Sequence, residues 1–293
     1  MSKKILKLFQ DLKNRRHAFL RRETFFSRNG IHFLNLSQLF GVINDNTFKF
    51  LSVFLLLTLK GNAQASEILF LIGTVYVLPF LLFSSSAGIF ADRFSKQKMI
   101  VALKAFELFI ALGGVVAFTY RSAFGSYAIL FLFAFQSALF GPPKYSIIPE
   151  IVKKNDIAKA NGLIVSCTYL AMIVGTFLAS FIADKTNENY VISAWVCVGI
   201  AVAGLISSLF IPHTEAKGLK QKPKFFFLKE IADTLRECKP LPYIRLCIFC
   251  SAFFLFIGAF FQLNVIPYAM EALNLSKIWG GYLFQTVAIG IAA

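Results

Sequence analysis

The chain has 293 residues, of which 57% are hydrophobic, 16% aromatic and only 15% charged, against about 25% charged residues in a soluble protein. This composition excludes a disordered chain and a small disulfide scaffold, and it makes an ordinary soluble domain a poor fit. At about 20 apolar residues for each span, the length accommodates seven to eight transmembrane helices.

The net charge of +15 is not gathered on one polar domain but divided among short blocks between apolar runs. A basic protein that binds nucleic acid concentrates its charge on one surface, whereas basic blocks between apolar runs are typical of membrane proteins. We therefore expect membrane lipids as partners and no nucleic acid.

The apolar runs predict an all-α, polytopic membrane protein with about seven complete spans and a truncated eighth. In chain order the predicted spans are 31–59, 67–91, 99–119, 126–147, 157–183, 190–211, 243–269 and 276–293. The separator at 212–242 is long and rich in Lys and Pro, and Leu228, Ile231 and Leu235 within it have the spacing of a short amphipathic helix. The predicted domains are a basic arm (1–30), a six-span bundle (31–211), this linker (212–242) and the start of a second bundle (243–293).

The basic residues also predict the orientation. The arm and segments 92–98, 144–159 and 212–245 together hold 24 of the 30 Lys and Arg residues, and the opposite loops hold four. The positive-inside rule therefore predicts that the N-terminus lies in the cytoplasm.

Both ends of the chain carry further signals. Ile5, Leu8, Phe9 and Leu12 have helical spacing within the basic arm, which is compatible with a helix on an anionic membrane surface or with a solvated tail. At the other end, Ile289 to Ala293 stop inside an apolar run with no basic cap. We expect from this that the sequence is a fragment of a longer protein.

The first span contains the polar run Asn44, Asp45, Asn46, Thr47, followed by Lys49. A charge at the centre of a membrane helix costs about 2.5–3.5 kcal/mol on insertion scales. Asp45 and Lys49 are four residues apart and can pair on one helix face. These residues are candidates for a substrate or ion pathway, and a polar clamp between helices is the structural alternative.

The third span contains a second candidate pair, Lys104 and Glu107, and Gln136 lies in the fourth span. Lys104 is close enough to the cytoplasmic end for its ammonium to snorkel to the interface. A pathway and a structural role are equally compatible with this pair, and Gln136 can form an interhelical hydrogen bond.

The loop between spans two and three reads Gly88-Ile-Phe-Ala-Asp92-Arg93-Phe-Ser-Lys96-Gln-Lys98. It resembles the signature loop of the major facilitator superfamily. Gly88 would permit close helix approach, Asp92 can accept from helix N-terminal amides, and the basic residues would hold the loop at the membrane face. The resemblance implies a conformational latch. The plan of six spans, a long linker and a second half also matches this superfamily.

Three segments are similar to the lysophospholipid transporter branch of that superfamily. They are Gln38–Lys49, the segment from Gly141, Pro142, Lys144 and Tyr145 to Glu150, and Ala160–Leu163 leading to Gly175-Thr176. The resemblance implies a carrier that moves lysophospholipids between leaflets of the bacterial inner membrane by alternating access. It also implies an acyltransferase/acyl-carrier-protein synthetase as a possible partner.

On this resemblance Asp45 would bind an ethanolamine ammonium or a coupling cation, and Lys49 or Lys104 would meet the phosphate. Two alternatives stay open: a facilitator for another amphiphile, a sugar or a drug, and a non-transporting module that anchors or regulates an acyltransferase. The superfamily's second half supplies partner helices for the latch, and most of that half is absent from this sequence.

No enzyme, cofactor or metal site is expected. The sequence has no Ser-His-Asp arrangement, acyltransferase box or phosphate-binding glycine loop. Cys247 and Cys250 have metal-like spacing, but no second pair and no nearby His accompany them.

Overall fold

The computed structural model describes residues 3–216, 235–236, 238, 240, 242–276 and 278–283, and its regular elements in these ranges are all helices. The helices are α1 (Lys3–Lys60), α2 (Ala65–Arg93), α3 (Lys96–Thr119), α4 (Ala123–Ser146), α5 (Ile148–Ile151), α6 (Ile157–Lys185), α7 (Tyr190–Leu209) and α8 (Pro242–Glu271). Short 3-10 turns lie at Asn62–Gln64 and Lys154–Asp156.

Seven helices of the described part are long and apolar enough to cross a membrane. The first seven predicted spans coincide with them in order, which confirms the all-α polytopic class. Their ends agree to within three residues except in the second span, which was predicted to end at residue 91 and ends at Ser84. Of the eighth predicted span only residues up to 283 are described, and 278–283 are helical. Of the three residues that predicted a linker helix, Leu228 and Ile231 lie outside the described residues.

The basic arm and the first span form one continuous helix, because the backbone of α1 runs without a break from Lys3 to Lys60. The boundary predicted at residue 30 is therefore not a break in secondary structure. The apolar part of this helix begins at Asn29.

Helix α1 lies at the centre of the bundle and packs against α4, α6 and α7. Its most apolar window is 83% buried, whereas the corresponding window of α8 is 0% buried. Glycines permit the close contacts: Thr47 Oγ1 donates to Gly175 O at 3.1 Å, and Ser37 Oγ donates to Gly204 O at 3.2 Å. Small residues at helix interfaces and interhelical hydrogen bonds are the usual means of helix association in lipid.

Aromatic rings fill the half of the bundle towards the C-terminal end of α1. Phe48 lies 4.9 Å from both Phe118 and Phe133, measured between ring centroids. Gly114 leaves room for the Phe48 ring, since a Cβ there would lie 2.5 Å from Phe48 Cε2. This packing fixes α1 against α3 and α4 just beyond the polar residues of α1.

Candidate functional site

Buried polar and charged side chains meet in the core of the bundle, where α1, α3 and α4 come together. We call this group the central polar cluster, and each member is at most 8% exposed: Asn44, Asp45, Lys49, Lys104, Glu107 and Gln136. Hydrogen bonds join Asn44, Lys104, Glu107 and Gln136, and Ser137 links Asp45 to this network. Lys49 is buried on the same helix but turns towards α2. Ionisable groups at this depth face a bundle interior or a cavity, where they can be paired or bind a ligand.

Glu107 is the best-connected member of the central polar cluster. Its carboxylate accepts from Lys104 Nζ at 2.7 Å and from Asn44 Nδ2 at 3.2 Å. Gln136 Nε2 lies 3.5 Å from the same carboxylate and donates to Leu103 O at 3.2 Å. Donors from α1, α3 and α4 thus converge on one buried carboxylate, and its charge is balanced by one ammonium.

Lys104 is held inside the bundle and does not snorkel. Its side chain is 2% exposed, and its Nζ lies 4.9 Å from the ring centroid of Phe140. The ammonium occupies space beside Gly41, where an added Cβ would overlap Nζ. The salt bridge with Glu107 and the space that Gly41 leaves hold the Lys104 ammonium in the core, so it does not extend to the membrane interface as predicted.

Asp45 is turned towards α4. Its Oδ2 accepts a short hydrogen bond from Ser137 Oγ. Its Oδ1 is buried and has no hydrogen-bond partner among the described residues, and the same is true of Asn44 Oδ1. Two buried oxygens on consecutive residues of α1 therefore have unused capacity to accept from a donor or to bind a cation.

Lys49 is turned towards α2. Its Nζ lies 5.1 Å from the ring centroid of Tyr76 and 5.4 Å from that of Phe50. The ion pair predicted between Asp45 and Lys49 is not formed, because in the described part of the chain the salt bridges are Lys96–Glu150 and Lys104–Glu107. Cation–π contacts replace a carboxylate as the surroundings of the Lys49 ammonium.

Asn46 lies outside the cluster, at the contact between α1 and α6. Its Nδ2 donates to Val42 O at 2.8 Å within α1. Its Cβ would lie 3.0 Å from a Cβ added at Gly175. Asn46 therefore lies at a helix–helix contact, and its amide hydrogen bond stays within α1.

The signature loop is joined to α5 and to the chain that follows α7. Lys96 is buried and donates to Glu150 Oε1 at 2.6 Å, and Gln97 N donates to Thr214 Oγ1 at 3.2 Å. Ser95 caps α3 by accepting from Lys98 N. The loop therefore contacts α5 of the six-span bundle and Thr214 at the start of the predicted linker.

The other loop residues are less constrained. Arg93 is exposed and lies 5.8 Å from the ring centroid of Phe94, and Lys98 is also exposed. The side chain of Asp92 lies outside the described part. A Cβ at Gly88 would meet nothing within 4 Å, so the close helix approach expected at Gly88 is not present in this conformation.

The segment that begins at Gly141 forms the end of α4. Pro142 and Pro143 lie inside that helix, a Cβ at Gly141 would meet nothing within 4 Å, and Lys144 Nζ lies 4.4 Å from the ring centroid of Tyr145. The segment continues to Glu150, so the Lys96–Glu150 pair joins it to the signature loop.

Sequence reasoning missed Ser137, Tyr76 and Gly41, which contact Asp45, Lys49 and Lys104 respectively. Ser137 follows Gln136 in an apolar helix, and two consecutive polar residues there could have indicated a buried polar contact. Tyr76 and Gly41 have no such signal, since single aromatic and small residues are common throughout these spans.

Three comparisons with known proteins agree with this architecture. The family model of the Major Facilitator Superfamily matches residues 38–293. The chain is 28% identical over 187 residues to the lysophospholipid transporter LplT of Photorhabdus laumondii, covering 64% of this chain and 44% of that protein. It is 26% identical over 273 residues to LplT of Cronobacter sakazakii, covering 92% of this chain and 65% of that protein.

A crystal structure of a bacterial homologue of the human lysosomal transporter Spinster, inward-facing and unoccupied, superposes with a TM-score of 0.62. The match covers 90% of this chain and 61% of that one at 18% identity, so it bears on the fold alone.

The helices and their buried charges define a polytopic helical membrane protein with ionisable groups in its core. The chain belongs to the major facilitator superfamily. It spans 44% and 65% of the lengths of the two curated relatives described above.

Proposed function

We propose that this protein is a secondary transporter that moves lysophospholipids between leaflets of the bacterial inner membrane by alternating access. The observation that carries the proposal is the central polar cluster in the core of the six-span bundle. Among the described residues, Asp45 Oδ1 has no hydrogen-bond partner and Lys49 has no carboxylate partner. The names of the relatives support the substrate class.

Asp45 is the proposed cation-binding group, for the ammonium of an ethanolamine headgroup or for a coupling cation. Its Oδ2 accepts a hydrogen bond from Ser137, and its buried Oδ1 has no hydrogen-bond partner among the described residues. Asn44 Oδ1 is a second open acceptor on the adjacent residue. A carboxylate that is oriented by one hydrogen bond and open at its other oxygen can receive a cation without a rearrangement of its own.

Lys49 is the proposed phosphate-binding group. Sequence analysis left Lys49 and Lys104 as alternatives, and the contacts favour Lys49. Lys104 is committed to Glu107 at 2.7 Å, whereas the Lys49 ammonium contacts aromatic rings. A phosphate can approach Lys49 without breaking an existing ion pair, and a lysine binds phosphate as a point charge.

The remaining parts of the proposal follow from sequence. The basic arm and loops lie in the cytoplasm, the linker at 212–242 separates two bundles, and the signature loop with Lys96 and Glu150 acts as a latch that biases their rocking. An acyltransferase/acyl-carrier-protein synthetase on the cytoplasmic side is the proposed partner, because a lysophospholipid delivered there is a substrate for acylation.

The test is uptake of labelled lysophosphatidylethanolamine by spheroplasts that express the full chain or Asp45→Asn. The substitution keeps the side-chain volume and removes the charge, so we expect uptake to fall at least about tenfold, the loss of one charge-assisted hydrogen bond. Lys49→Met should give a similar loss. Asp156→Asn, the same substitution at an exposed position, is the matched control and should leave uptake unchanged.

Unchanged uptake in Asp45→Asn or Asp45→Ala, at equal expression, would contradict the role of Asp45. Absence of uptake by the unmodified protein would contradict transport and favour a non-transporting module. Uptake of an unrelated amphiphile in place of lysophospholipid would contradict the substrate class alone.

A further inference from the structure

A cavity of about 500 Å³ opens on the face of the bundle opposite the signature loop. It lies beside the turn after α3, the end of α6 and the turn before α7. The lining residues are Arg121, Ala183, Asp184, Asn187, Glu188 and Ile278. No member of the central polar cluster lines it, so it is a separate site, and its size falls in the range of small-molecule sites.

The cavity wall carries charges of both signs. Among the described side chains neither Arg121 nor Asp184 forms a salt bridge, since the pairs found are Lys96–Glu150 and Lys104–Glu107. Glu188 is fixed at the wall, because its Oε2 accepts from Tyr190 Oη at 3.0 Å and from Thr58 Oγ1 at 3.4 Å. The Arg121 guanidinium and the Asp184 carboxylate thus line one space without forming a salt bridge with one another in the described part of the chain.

Aromatic residues of the kind found at membrane–water interfaces lie beside the cavity. Trp279 follows Ile278 and packs edge-on against Tyr282, with ring centroids 5.6 Å apart. Tyr282 in turn lies 6.0 Å from the Phe177 ring of α6. Trp and Tyr are enriched at membrane–water interfaces, so a lipid whose acyl chain lies among these rings would bring its headgroup to the cavity.

We propose that this cavity binds the zwitterionic headgroup of a lysophospholipid at the outer surface, with Arg121 on the phosphate and Asp184 on the ammonium. Arginine binds phosphate through a planar fork of donors, and opposite charges held apart across a cavity match a ligand that carries both. The inference rests on the proposed lysophospholipid transport and adds to it a first binding site at the outer face.

The experiment measures headgroup binding apart from transport. The chain has two tryptophans, and Trp195→Phe, at an exposed position of α7, leaves Trp279 beside the cavity as the single reporter. The purified full chain is titrated with glycerophosphoethanolamine, glycerol 3-phosphate and ethanolamine. We expect the zwitterion to bind about tenfold more tightly than either single-charge compound, as one additional charge-assisted hydrogen bond provides.

Two variants separate the two halves of the site. Asp184→Asn should reduce the affinity for glycerophosphoethanolamine to that for glycerol 3-phosphate, and Arg121→Gln should abolish binding of both phosphates. Lys185→Gln is the matched control, because Lys185 is exposed on the same turn and does not line the cavity. Equal affinities for the three compounds, or equal effects of all three variants, would overturn the inference.

The same variants in the spheroplast uptake assay distinguish the inference from the function it rests on. Uptake without headgroup binding at Trp279 would overturn the outer site and leave lysophospholipid transport in place. Headgroup binding without uptake would keep the site and contradict transport. With both intact, Asp184→Asn should raise KM for zwitterionic lysophosphatidylethanolamine and leave KM for anionic lysophosphatidylglycerol unchanged.

Discussion

The two pairs of opposite charges in the bundle core are equally buried and yet differ in how they are satisfied. Lys104 and Glu107 form a salt bridge of 2.7 Å, and the carboxylate has further donors from α1 and α4. Asp45 and Lys49, four residues apart on α1, turn to different helices, where they meet a hydroxyl and two aromatic rings.

The difference separates two uses of a buried charge. In a closed pair, a buried salt bridge that is surrounded by hydrogen-bond donors, the attraction within the protein offsets the free energy lost by removing both charges from water. If one partner is removed, the remaining buried charge is uncompensated and the protein is destabilised. Charges surrounded by neutral groups retain most of their capacity to bind an ionic ligand. We infer that Lys104–Glu107 holds the bundle together and that Asp45 and Lys49 face the substrate.

The largest effect is expected when the closed pair is broken. Glu107→Gln leaves the Lys104 ammonium buried without a counter-charge, which should lower the free energy of unfolding by about 3–5 kcal/mol. Asp45→Asn should lower the free energy of unfolding by less than about 1 kcal/mol. Asp45 forms no salt bridge among the described residues, so its loss leaves no partner charge uncompensated. Unfolding by SDS titration in mixed micelles, followed by tryptophan fluorescence, measures both.

The double variant Lys104→Met/Glu107→Gln is the control for this experiment. It removes both charges and should recover most of the lost stability, since replacement of a whole buried pair is often neutral. Equal losses for Glu107→Gln and Asp45→Asn would remove the distinction between the two pairs.

A smaller effect is expected from crowding the closed pair without changing its charge. A Cβ at Gly41 would overlap Lys104 Nζ and lie 3.4 Å from Glu107 Oε2. Gly41→Ala should therefore push the ammonium from its site and lower the free energy of unfolding by about 1–3 kcal/mol, as in an overpacked core. The same SDS titration measures the loss.

Gly199→Ala is the matched control, since it changes a glycine inside α7 where a Cβ would meet nothing within 4 Å. Alanine is a better helix former than glycine, so Gly199→Ala should be neutral or slightly stabilising. If Gly41→Ala behaved in the same way, Lys104 would have room to move, and the pair would not be tightly held.

The sequence was sufficient to predict the spans and most members of the central polar cluster. Apolar run length fixes the spans, and a charge such as Asp45 or Glu107 is conspicuous inside an apolar run. Pairing was not predictable in the same way. Spacing on one helix favoured Asp45 with Lys49, but the partners come from neighbouring helices, and only packing brings Ser137 and Tyr76 to them.

The smallest effect is expected at Lys96–Glu150, a pair with the short distance of the core pair but more contact with solvent. Lys96 is 2% and Glu150 21% exposed in their side chains. Glu150→Gln should lower the free energy of unfolding by about 1 kcal/mol, because water and salt screen the partly exposed carboxylate. The loss should shrink further in high salt, whereas that of Glu107→Gln should not. A loss as large and as salt-independent as that of Glu107→Gln would mean that distance alone, rather than enclosure by donors from several helices, decides which pair holds the bundle together.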